Sequence, residues 1–472
     1  MKRLEADYLV VGAGASGMAF VDSLIDHSDA KVVMVDRRAT PGGHWNDAYP
    51  FVRLHQPSAI YGVNSTALGQ DRIVEEGLNA GFYEQAGAVE ICDYYLQVLT
   101  DRLVPSGKVR YFGRHVFGGR DDRGYRLVSQ VTGDVTLVTA RKLVDATYLE
   151  ASLPTTHKRS YEVDPQARVI TPARLPKLVH SADRFTILGG GKTAMDTCSW
   201  LLEERVDPGA IRWVRPRDSW VYDRAATQPL DLVASTIRTR ASEVEAAAKA
   251  DDLADLYARA ERAGAILRLA PEVDAEMFHG ATLSQAELAL LRTITDVVRA
   301  GRVRRVDADK LHLDDGALPT RQGELHVDCT ASGIPITTGR TVFQEELVTP
   351  QCLRVGNLCF NAALIGFLEA TDLDDDDKNR LARPNPLPRT RSRLDWAWST
   401  HISGLNAMAW RSRPEVTEWV RSSRLNVAAA IAAQRQVPEV EAARATIATH
   451  SQAALVNLSR LLGDEDALER LG

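Results

Sequence analysis

The segment YLVVGAGASGMAF, residues 8–20, runs from an apolar strand-like stretch through three glycines into a helix-like stretch. Gly12 permits a tight turn, Gly14 lets the backbone approach a pyrophosphate, and Gly17 allows the helix to pack closely on the strand. The helix after this turn would present free N–H groups to an anion. The segment therefore predicts a dinucleotide-binding β-α-β unit, and Ser16 is included among the residues expected to contact the ligand.

The strand-like stretch that follows ends in an acid, which bears on the choice of dinucleotide. Asp36 lies 19 residues after Gly17. A carboxylate at this place accepts hydrogen bonds from ribose hydroxyls and repels a 2′-phosphate. We therefore expect the first loop to bind FAD, with Asp36 and its neighbour Arg37 at the adenosine. The alternative is a tight glycine turn that binds nothing.

A second segment, ILGGGKTAMD at residues 187–196, repeats the strand–glycine–helix pattern. Alanine replaces the third glycine here, a variant that still permits close packing of the helix on the strand. A lysine inside the loop would add positive charge near a pyrophosphate, unless it lies on the surface. The residues expected to contact this second dinucleotide are Gly189, Gly191, Lys192, Thr193 and Ala194.

No acid ends the strand that follows the second loop. The sequence there is WVRPRDSW, residues 213–220, which contains Arg215 and Arg217. A guanidinium matches a phosphate dianion in charge and in geometry. The second loop is therefore predicted to bind NADPH, although two arginines on a solvated turn are the alternative. Two different loops then imply a tightly held flavin and a nicotinamide that reduces it.

Hydrophobic periodicity outlines the rest of the chain. The predicted fold class is α/β, with two Rossmann-like dinucleotide-binding domains, a helical insertion and a helical C-terminal tail. Residues 1–155 form the first part of the FAD-binding domain. Residues 156–325 form the NADPH-binding domain, with the helical insertion at about 229–300. Residues 326–472 form the second part of the FAD-binding domain and the C-terminal helices.

Composition narrows the function classes. Hydrophobic residues make up 44% of the 472 residues and charged residues 25%, as is usual for a globular enzyme. The net charge is −6 and the pI about 6.0, whereas nucleic acid favours a basic surface. No run approaches the length of a membrane span. We expect a small-molecule substrate, no nucleic acid, no membrane, and leave open a homo-oligomer.

The N-terminus resembles a signal peptide only in its first residues. Lys2 and Arg3 precede an apolar run, but Glu5 and Asp7 interrupt the basic region and glycines interrupt the run. We therefore expect no targeting signal and a cytoplasmic protein. The five cysteines form no CxxC pair, which indicates reduced thiols. No metal site is predicted.

Four further motifs resemble the class B flavoprotein monooxygenases, a family with two dinucleotide-binding domains. They are PGGHW (41–45), VDATYL (144–149), RPRDSW (215–220) and CTASGI (329–334). Within that family, the stretch GGHWNDAYPFVRLHQPSAIYGVNS (42–65), together with GKTAMD (191–196) and WVRPRDSW (213–220), resembles a subgroup of actinobacterial-type oxidoreductases. The resemblance implies that the following residues contact the flavin or lie where the chain returns to it: Gly43, His44, Trp45, Ser332 and Gly333. Tyr148 departs from the family pattern, in which glycine is usual.

A second departure concerns the segment between the domains. The family often carries FxGxxxHxxxW or FxGxxxHxxxY, and His157 and Tyr161 keep the last spacing. Ala151 and Leu153 stand where phenylalanine and glycine would be. Two interpretations stay open, an equivalent of the family motif and an ordinary linker histidine.

The resemblance implies an NADPH-dependent FAD monooxygenase that oxygenates a small molecule. In such enzymes NADPH reduces the flavin, dioxygen forms a C4a-(hydro)peroxyflavin, and one oxygen atom passes to the substrate. N-hydroxylation of an amine or amino acid is the favoured chemistry, on the family's range rather than on any residue. The alternatives are S-oxygenation, Baeyer–Villiger oxygenation, and an NADPH-dependent flavin reductase without oxygen transfer.

The stretch RLHQPS, residues 53–58, follows the GGHW motif and supplies the best candidates for contact with reacting groups. His55 and Gln56 could donate hydrogen bonds to the flavin or its peroxide, as could Asn64. Asn361 is a further candidate where the chain returns to the flavin. The alternative is a polar loop that packs on the cofactor without a kinetic role.

A basic segment lies further along the chain. Arg389, Arg391 and Arg393 stand close to His401 and follow the acidic run at 374–377. These side chains could hold an anionic substrate. We expect instead a solvated basic turn that balances the acidic run.

Overall fold

The computed structural model describes residues 2–321 and 323–464. Twenty strands lie in these residues. The first ten are β1 (Lys2–Val11), β2 (Val32–Val35), β3 (Val109–Phe112), β4 (His115–Asp121), β5 (Gly124–Ser129), β6 (Val135–Asp145), β7 (Glu162–Val163), β8 (Val169–Ile170), β9 (Phe185–Leu188) and β10 (Ile211–Val214). The others are β11 (Ser219–Asp223), β12 (Ile266–Arg268), β13 (Met277–Leu283), β14 (Asp296–Val298), β15 (Val303–Val306), β16 (Lys310–Leu313), β17 (Gly316–Pro319), β18 (Leu325–Asp328), β19 (Phe343–Gln344) and β20 (Leu347–Val348).

Twelve α-helices occur in the same residues. They are α1 (Ala15–His27), α2 (Ala88–Gln97), α3 (Leu175–Leu178), α4 (Lys192–Glu203), α5 (Val233–Lys249), α6 (Leu253–Arg262), α7 (Gln285–Leu291), α8 (Leu358–Glu369), α9 (Asp375–Leu381), α10 (Leu394–Arg411), α11 (Pro414–Ser422) and α12 (Pro438–Leu462). No helix in this part of the chain has both the length and the apolar character that a membrane crossing requires.

The first domain is built on one twisted sheet. Its main path is β19-β20-β6-β1-β2-β3, and the neighbours from β20 to β3 are all parallel. Strands β4 and β5 extend from β6 as an antiparallel meander that covers one face of the sheet. Helices α1 and α8 cover the other face. Strand β2 has the sequence VVMV with every residue buried, as expected of a strand covered on both faces.

The second domain has a fully parallel sheet in the order β14-β10-β9-β18-β8. Its core includes Ile187 and Trp213, both completely buried, and helix α4 packs against them. The predicted domain boundary after residue 325 falls inside β18. Because β18 lies between β9 and β8 in this sheet, the second domain extends to Asp328.

The predicted helical insertion at 229–300 is helical only in its first half, where α5 and α6 lie. The second half contains β12, β13 and β14 around the short helix α7. Strands β12 and β13 flank β11, and β14 extends the second sheet beside β10. Pairing with distant strands therefore overrides the helical composition of this stretch.

The C-terminal helices α10, α11 and α12 lie over the junction of the two domains, and we call these three helices and the segments between them the helical roof. They confirm the predicted helical tail. Helix α12 lies along α5, and the amide of Asn457 donates to the carbonyls of Ala247 and Ala250 at 2.9 and 2.8 Å. Trp396 of α10 and Leu458 of α12 are buried in the same apolar cluster. The α/β fold with two dinucleotide-binding domains is likewise confirmed.

Direct contacts join the two domains beneath this roof. Phe51 of the first domain stacks on Trp200 of α4, with ring centroids 5.0 Å apart and an interplanar angle of 17°. The hydroxyl of Thr155 donates to the carbonyl of Asp47 at 2.8 Å where the chain passes to the second domain. The carboxyl ends of the parallel strands in both sheets face the space between the domains, which is where ligands bind in such sheets.

Helices α1 and α8 cross closely because residue 366 of α8 is a glycine, which has no side chain. A Cβ at Gly366 would lie 2.4 Å from the carbonyl oxygen of Phe20. We expect Gly366→Ala to lower the free energy of unfolding by about 1–3 kcal/mol, because the two helices must separate. Urea unfolding followed by tryptophan fluorescence measures this.

Gly87→Ala is the matched control, since a Cβ there meets its nearest atom at 3.6 Å, an ordinary contact distance. Equal stability of the Gly366→Ala and Gly87→Ala variants would contradict the close crossing.

Candidate functional site

One cavity of about 1380 Å³ lies between the two domains and under the helical roof. It exceeds the usual 300–1,000 Å³ of small-ligand pockets, so it has room for more than one ligand. The predicted site residues in its wall are Gly12, Gly14, Ser16, Asp36, Gly43, His44, Trp45, His55, Gln56, Gly189, Gly191, Lys192, Thr193, Arg217, Ser332 and Gly333. The predicted residues outside the wall are Gly17, Arg37, Asn64, Ala194, Arg215 and Asn361.

The first glycine loop joins β1 to α1 at the cavity. Gly12 has a φ of +102°, and a Cβ there would lie 3.0 Å from Cγ2 of Thr147. A Cβ at Gly17 would lie 1.9 Å from the carbonyl oxygen of Gly12, so Gly17 lets α1 pack against the loop and does not itself line the cavity. Gly14 is the N-cap of α1, and no side chain of the described residues caps that end. The first N–H groups of α1 are therefore free to bind an anion.

Asp36 holds this loop in place from the end of β2. Its carboxylate accepts hydrogen bonds from the N–H groups of Ala13 and Arg38, both at 2.7 Å. The carboxylate lines the cavity and keeps further lone pairs for a ligand. Arg37 instead points away and pairs with Glu150 at 2.5 Å with half its side chain exposed. Its neighbour Arg38, which the sequence analysis missed, lines the cavity.

The GGHW motif packs directly against the first loop. Gly43 has a φ of +57°, and a Cβ there would lie 2.8 Å from the Cα of Gly14. The indole N–H of Trp45 donates to the hydroxyl of Tyr61 at 2.7 Å. Burial, assisted by the charge of a nearby arginine, lowers the pKa of His44 to about 4. The motif therefore brings an indole and a neutral imidazole to the cavity wall, and Tyr61 lines the wall beside them.

The second glycine loop joins β9 to α4. Gly189 has a φ of +126°, and a Cβ there would lie 2.6 Å from the carbonyl oxygen of Cys329. Gly191 is the N-cap of α4, and within the described chain no side chain caps this helix. A Cβ at Gly191 would meet nothing within 4 Å, so the loop faces open space. Thr193 lines the cavity beside it, whereas Ala194 is buried under the helix.

Arg215 does not reach the cavity, contrary to its predicted role. Its guanidinium lies over the ring of Trp213 at 4.8 Å and pairs with Asp218 at 2.8 Å. Only 3% of the residue is exposed. A buried guanidinium that already has a carboxylate partner is not available to a phosphate. Arg215 therefore supports the second loop from beneath.

Arg217 does line the cavity, together with Arg302 and Arg391. In the chain as described, none of the three guanidiniums has a carboxylate within ion-pair distance. The Nη1 of Arg217 donates to the carbonyl of Arg391 at 3.4 Å, and burial and the charges of Arg302 and Arg217 lower the pKa of Arg391. We call these residues the arginine trio. Their neighbours Arg389 and Arg393 lie over the rings of Trp398 and Tyr257. Arg393 is exposed, as expected of a solvated turn, whereas Arg391 faces the cavity.

His55 and Gln56 both lie in the cavity wall. Burial lowers the pKa of His55 to about 3, with further contributions from the charges of Lys192 and Arg224. Arg224 is itself buried, donates to the carbonyl of His55 at 2.6 Å and pairs with Glu287 at 2.7 Å. A neutral imidazole and an amide are thus presented by a stretch whose backbone is tied to the second domain.

Asn64 and Asn361 lie outside the cavity. The amide oxygen of Asn64 accepts from the hydroxyl of Ser423 at 2.8 Å, which ties its loop to the end of α11. Asn361 is completely buried and brackets Arg354, accepting from its N–H at 3.1 Å and donating to its carbonyl at 2.8 Å. Both asparagines therefore position neighbouring backbone rather than contact a ligand.

The segment between the domains enters the cavity wall as well. The ring Nε2 of His157 lies 3.1 Å from a carboxylate oxygen of Asp328, which also accepts from Arg159 at 3.0 Å. Asp328 immediately precedes the CTASGI motif, where Ser332 and Gly333 line the cavity. Gly333 forms an antiparallel bridge with Ser152. His157 is thus part of the site wall rather than an exposed linker residue.

Tyr49 is a site residue that the sequence analysis missed. Its hydroxyl donates to one oxygen of Asp196 at 2.6 Å, while Lys192 pairs with the other oxygen. Tyr49 and Lys192 line the cavity. Burial and the charge of Asp196 raise the pKa of Tyr49. This network joins the first domain to the start of α4, across a sequence separation that no local pattern could reveal.

The two partly exposed histidines of the cavity wall, His44 and His55, make the stability of the fold depend on acid. The folded-state pKa values of His55 and His44 are about 3 and 4, against about 6.5 in an unfolded chain. Above about pH 6.5 the two histidines do not reduce the free energy of unfolding. As the pH falls toward 4, each lowers that free energy by at most about 1.4 kcal/mol per pH unit, because the unfolded chain takes up protons first. We expect His55→Gln to weaken this dependence in urea unfolding between pH 7 and 4.5.

His180, which is exposed, supplies the control variant His180→Gln. An unchanged pH dependence in His55→Gln, equal to that of His180→Gln, would show that the fold does not hold His55 in its neutral form.

Two mycobacterial proteins share 43% identity with this chain over 429 residues, which are 91% of this chain and 79% of each relative. They are uncharacterized protein Rv2000 of Mycobacterium tuberculosis (strain ATCC 25618 / H37Rv) and uncharacterized protein Mb2023 of Mycobacterium bovis (strain ATCC BAA-935 / AF2122/97). The family described as NAD(P)-binding Rossmann-like domain matches residues 10–63, which contain the first glycine loop and the GGHW motif.

Solved structures of flavin enzymes share the fold. An oxidized steroid monooxygenase bound to NADP matches with a TM-score of 0.54 and 15% identity, over 89% of this chain and 98% of that one. An open crystal structure of cyclohexanone monooxygenase matches with a TM-score of 0.50 and 13% identity, over 86% and 97%. The chain therefore belongs to the family of the two mycobacterial proteins and has the fold of the class B flavoprotein monooxygenases.

Proposed function

We propose that the protein is an NADPH-dependent FAD monooxygenase that transfers one oxygen atom from dioxygen to a small molecule. One observation carries this proposal. The two glycine loops, each at the start of a helix that no described side chain caps, open into the same cavity. A shared cavity lets a nicotinamide reach a flavin, whereas two separate pockets would not.

The residues at the first loop fit FAD. Backbone atoms of Gly14 and Gly43 meet without side chains between them, which leaves their surface open to a pyrophosphate. The carboxylate of Asp36 would accept hydrogen bonds from the adenosine ribose. Ser16, His44 and Trp45 complete this side of the wall.

The residues at the second loop fit NADPH. Gly191 and Thr193 would hold the pyrophosphate at the start of α4. The arginine trio lies where the chain continues from the end of β10, the place that receives the 2′-phosphate in this type of domain. Three guanidiniums without carboxylate partners would balance that dianion. The trio thus replaces the pair Arg215 and Arg217 as the proposed 2′-phosphate site.

We assign His55 and Gln56 to the reacting end of the cavity. When bound, the flavin supplies the hydride-accepting and oxygen-activating chemistry. With its pKa at about 3, His55 is neutral at physiological pH, so one ring nitrogen donates a hydrogen bond and the other accepts. The Gln56 amide donates as well. Trp45 and its partner Tyr61 help to exclude water.

N-hydroxylation of an amine or amino acid is the first oxygenation to test, with S-oxygenation and Baeyer–Villiger oxygenation next. This preference comes from the range of reactions in the resembling family and rests on no residue of the cavity.

The test starts from the purified protein, which is expected to contain FAD. NADPH should reduce the flavin anaerobically, and admission of dioxygen should reoxidise it. A flavin that NADPH cannot reduce would overturn the proposal. Reduction by NADPH with reoxidation only by other electron acceptors would identify a reductase without oxygen transfer.

Gln56→Ala tests the assignment of the reacting end. We expect anaerobic reduction close to that of the wild type, because hydride transfer needs only NADPH and flavin in register. Substrate-free NADPH oxidation with release of hydrogen peroxide should rise several-fold, because a hydrogen bond of about 1 kcal/mol no longer retains the activated oxygen. Slower reduction with unchanged peroxide release would instead place Gln56 beside the nicotinamide.

The arginine trio should set the choice of coenzyme. Loss of one charge-assisted hydrogen bond costs about 1.5–3 kcal/mol, on the order of ten- to hundredfold in affinity. We therefore expect Arg217→Ala and Arg391→Ala to raise the KM for NADPH by that factor and to leave the KM for NADH within about twofold. Steady-state NAD(P)H oxidation measures both.

Arg215→Met is the matched control, because this guanidinium stands in the same segment but is buried on Asp218. It should lower stability and leave the ratio of the two KM values unchanged. If Arg215→Met raised the KM for NADPH alone, Arg215 would be the residue that binds the 2′-phosphate.

A further inference from the structure

Arg354 lies in the cavity wall just before α8, at the end that the helical roof covers. Its Nη1 donates to the amide oxygen of Asn426 at 3.0 Å, and its Cζ lies 4.0 Å from the ring centroid of Phe360. Its Nη2 is buried and, within the described residues, has no hydrogen-bond partner. One edge of the guanidinium is therefore unused by the fold.

This cation, which is partly exposed to the cavity, also lacks a counter-charge. No carboxylate of residues 2–321 or 323–464 lies within 4.0 Å of the Arg354 guanidinium. Burial, and then the charge of Arg240, lower the pKa of Arg354 to about 10, so the side chain is still positive at neutral pH. A charged group whose buried nitrogen has no partner adds nothing to the stability of the fold and can lower it. Arg224 shows the opposite arrangement, since it is buried but paired with Glu287.

The surroundings of Arg354 are basic although the whole chain has a net charge of −6. Arg240 lines this end of the cavity and is paired with Glu243 at 3.1 Å. Three exposed arginines of the roof also line the cavity and, among the described residues, form no ion pair: Arg411, Arg435 and Arg444. The excess of positive charge is therefore local to this part of the cavity.

The rest of this end is apolar. The side chains that line it include Ile237, Leu358, Trp410, Val420, Val427 and Ile431. A ligand that fits here combines a negative group with an apolar body, because apolar surface accommodates the body and arginine the charge.

We infer that this end of the cavity binds a substrate that carries a carboxylate on an apolar body, and that Arg354 pairs with the carboxylate. A guanidinium edge matches a carboxylate in geometry and in charge. The inference rests on the proposed function, for which it names the substrate class. It differs from the 2′-phosphate site, which uses the arginine trio at the second loop.

Asn361 fixes the backbone of Arg354 at this site. It holds the backbone of Arg354 on both sides, through the N–H and through the carbonyl. Asn426 and Phe360 fix the guanidinium itself. A group held in advance loses little freedom when the ligand arrives, which favours binding.

The first experiment asks whether Arg354 serves the fold or a ligand. Thermal unfolding of the purified protein is compared for Arg354→Met and Arg224→Met, which replace a partly exposed arginine and a buried one by the same unbranched side chain. We expect Arg354→Met to unfold at the wild-type temperature or above it, because an unpaired charge has been removed. Arg224→Met should unfold at a lower temperature. A loss with Arg354→Met as large as that with Arg224→Met would overturn the inference.

The second experiment measures binding by isothermal titration calorimetry with benzoate and octanoate, and with benzamide and octanamide as neutral partners. The wild type should bind at least one acid tenfold or more tightly than its amide. Arg354→Met should remove that difference, and Arg354→Lys should retain part of it. No preference for either acid in the wild type, or an unchanged preference in Arg354→Met, would overturn the inference.

Neither experiment requires turnover. Failure of NADPH to reduce the flavin, with carboxylate binding intact, would reject the proposed function and leave the anion site. The reverse result would reject the anion site alone.

Discussion

The close approach of backbone to backbone at Gly12 and Gly17 is the constraint on which the first domain depends. A Cβ at residue 17 would lie 1.9 Å from the carbonyl oxygen of Gly12, so no other residue lets α1 lie this near β1. The same kind of contact recurs in the second domain, where Gly189 lies against the carbonyl of Cys329. Both contacts aim a helix start at the cavity, and each needs a residue without a side chain.

The sign of the charge in the cavity wall differs from one region of the wall to another and does not follow the net charge of the chain. Asp36, Asp47 and Glu150 line the side of the first loop, where an adenosine with free hydroxyls would lie. The arginine trio lines the side of the second loop, and Arg354 stands apart under the roof. A chain with a net charge of −6 thus presents two separate cationic regions inside one cavity. Each region can select a different anionic group.

The sequence predicted what depends on local backbone geometry. Both glycine loops, Asp36 and the helical tail have local signatures, since a turn, a strand end or a helical period spans few residues. Membership of the arginine trio could not be predicted, because Arg302 and Arg391 reach Arg217 through the tertiary fold. Arg215 was misplaced because two nearby guanidiniums look alike in sequence, although Asp218, three residues on, was an available ion-pair partner. The strands within 266–298 were missed because their partners are distant.

The first sheet is completed late. Strand β20 comes about two hundred residues after β6, the strand with which it pairs. Helix α8 comes after a still longer separation from α1, the helix that it covers. A ribosome adds about 5–20 residues per second, so tens of seconds separate the synthesis of α1 from that of its cover. The whole second domain emerges in that interval. During translation the apolar face of α1 therefore stays uncovered until α8 has been made, and exposed apolar surface of this kind is what makes a nascent chain prone to aggregation.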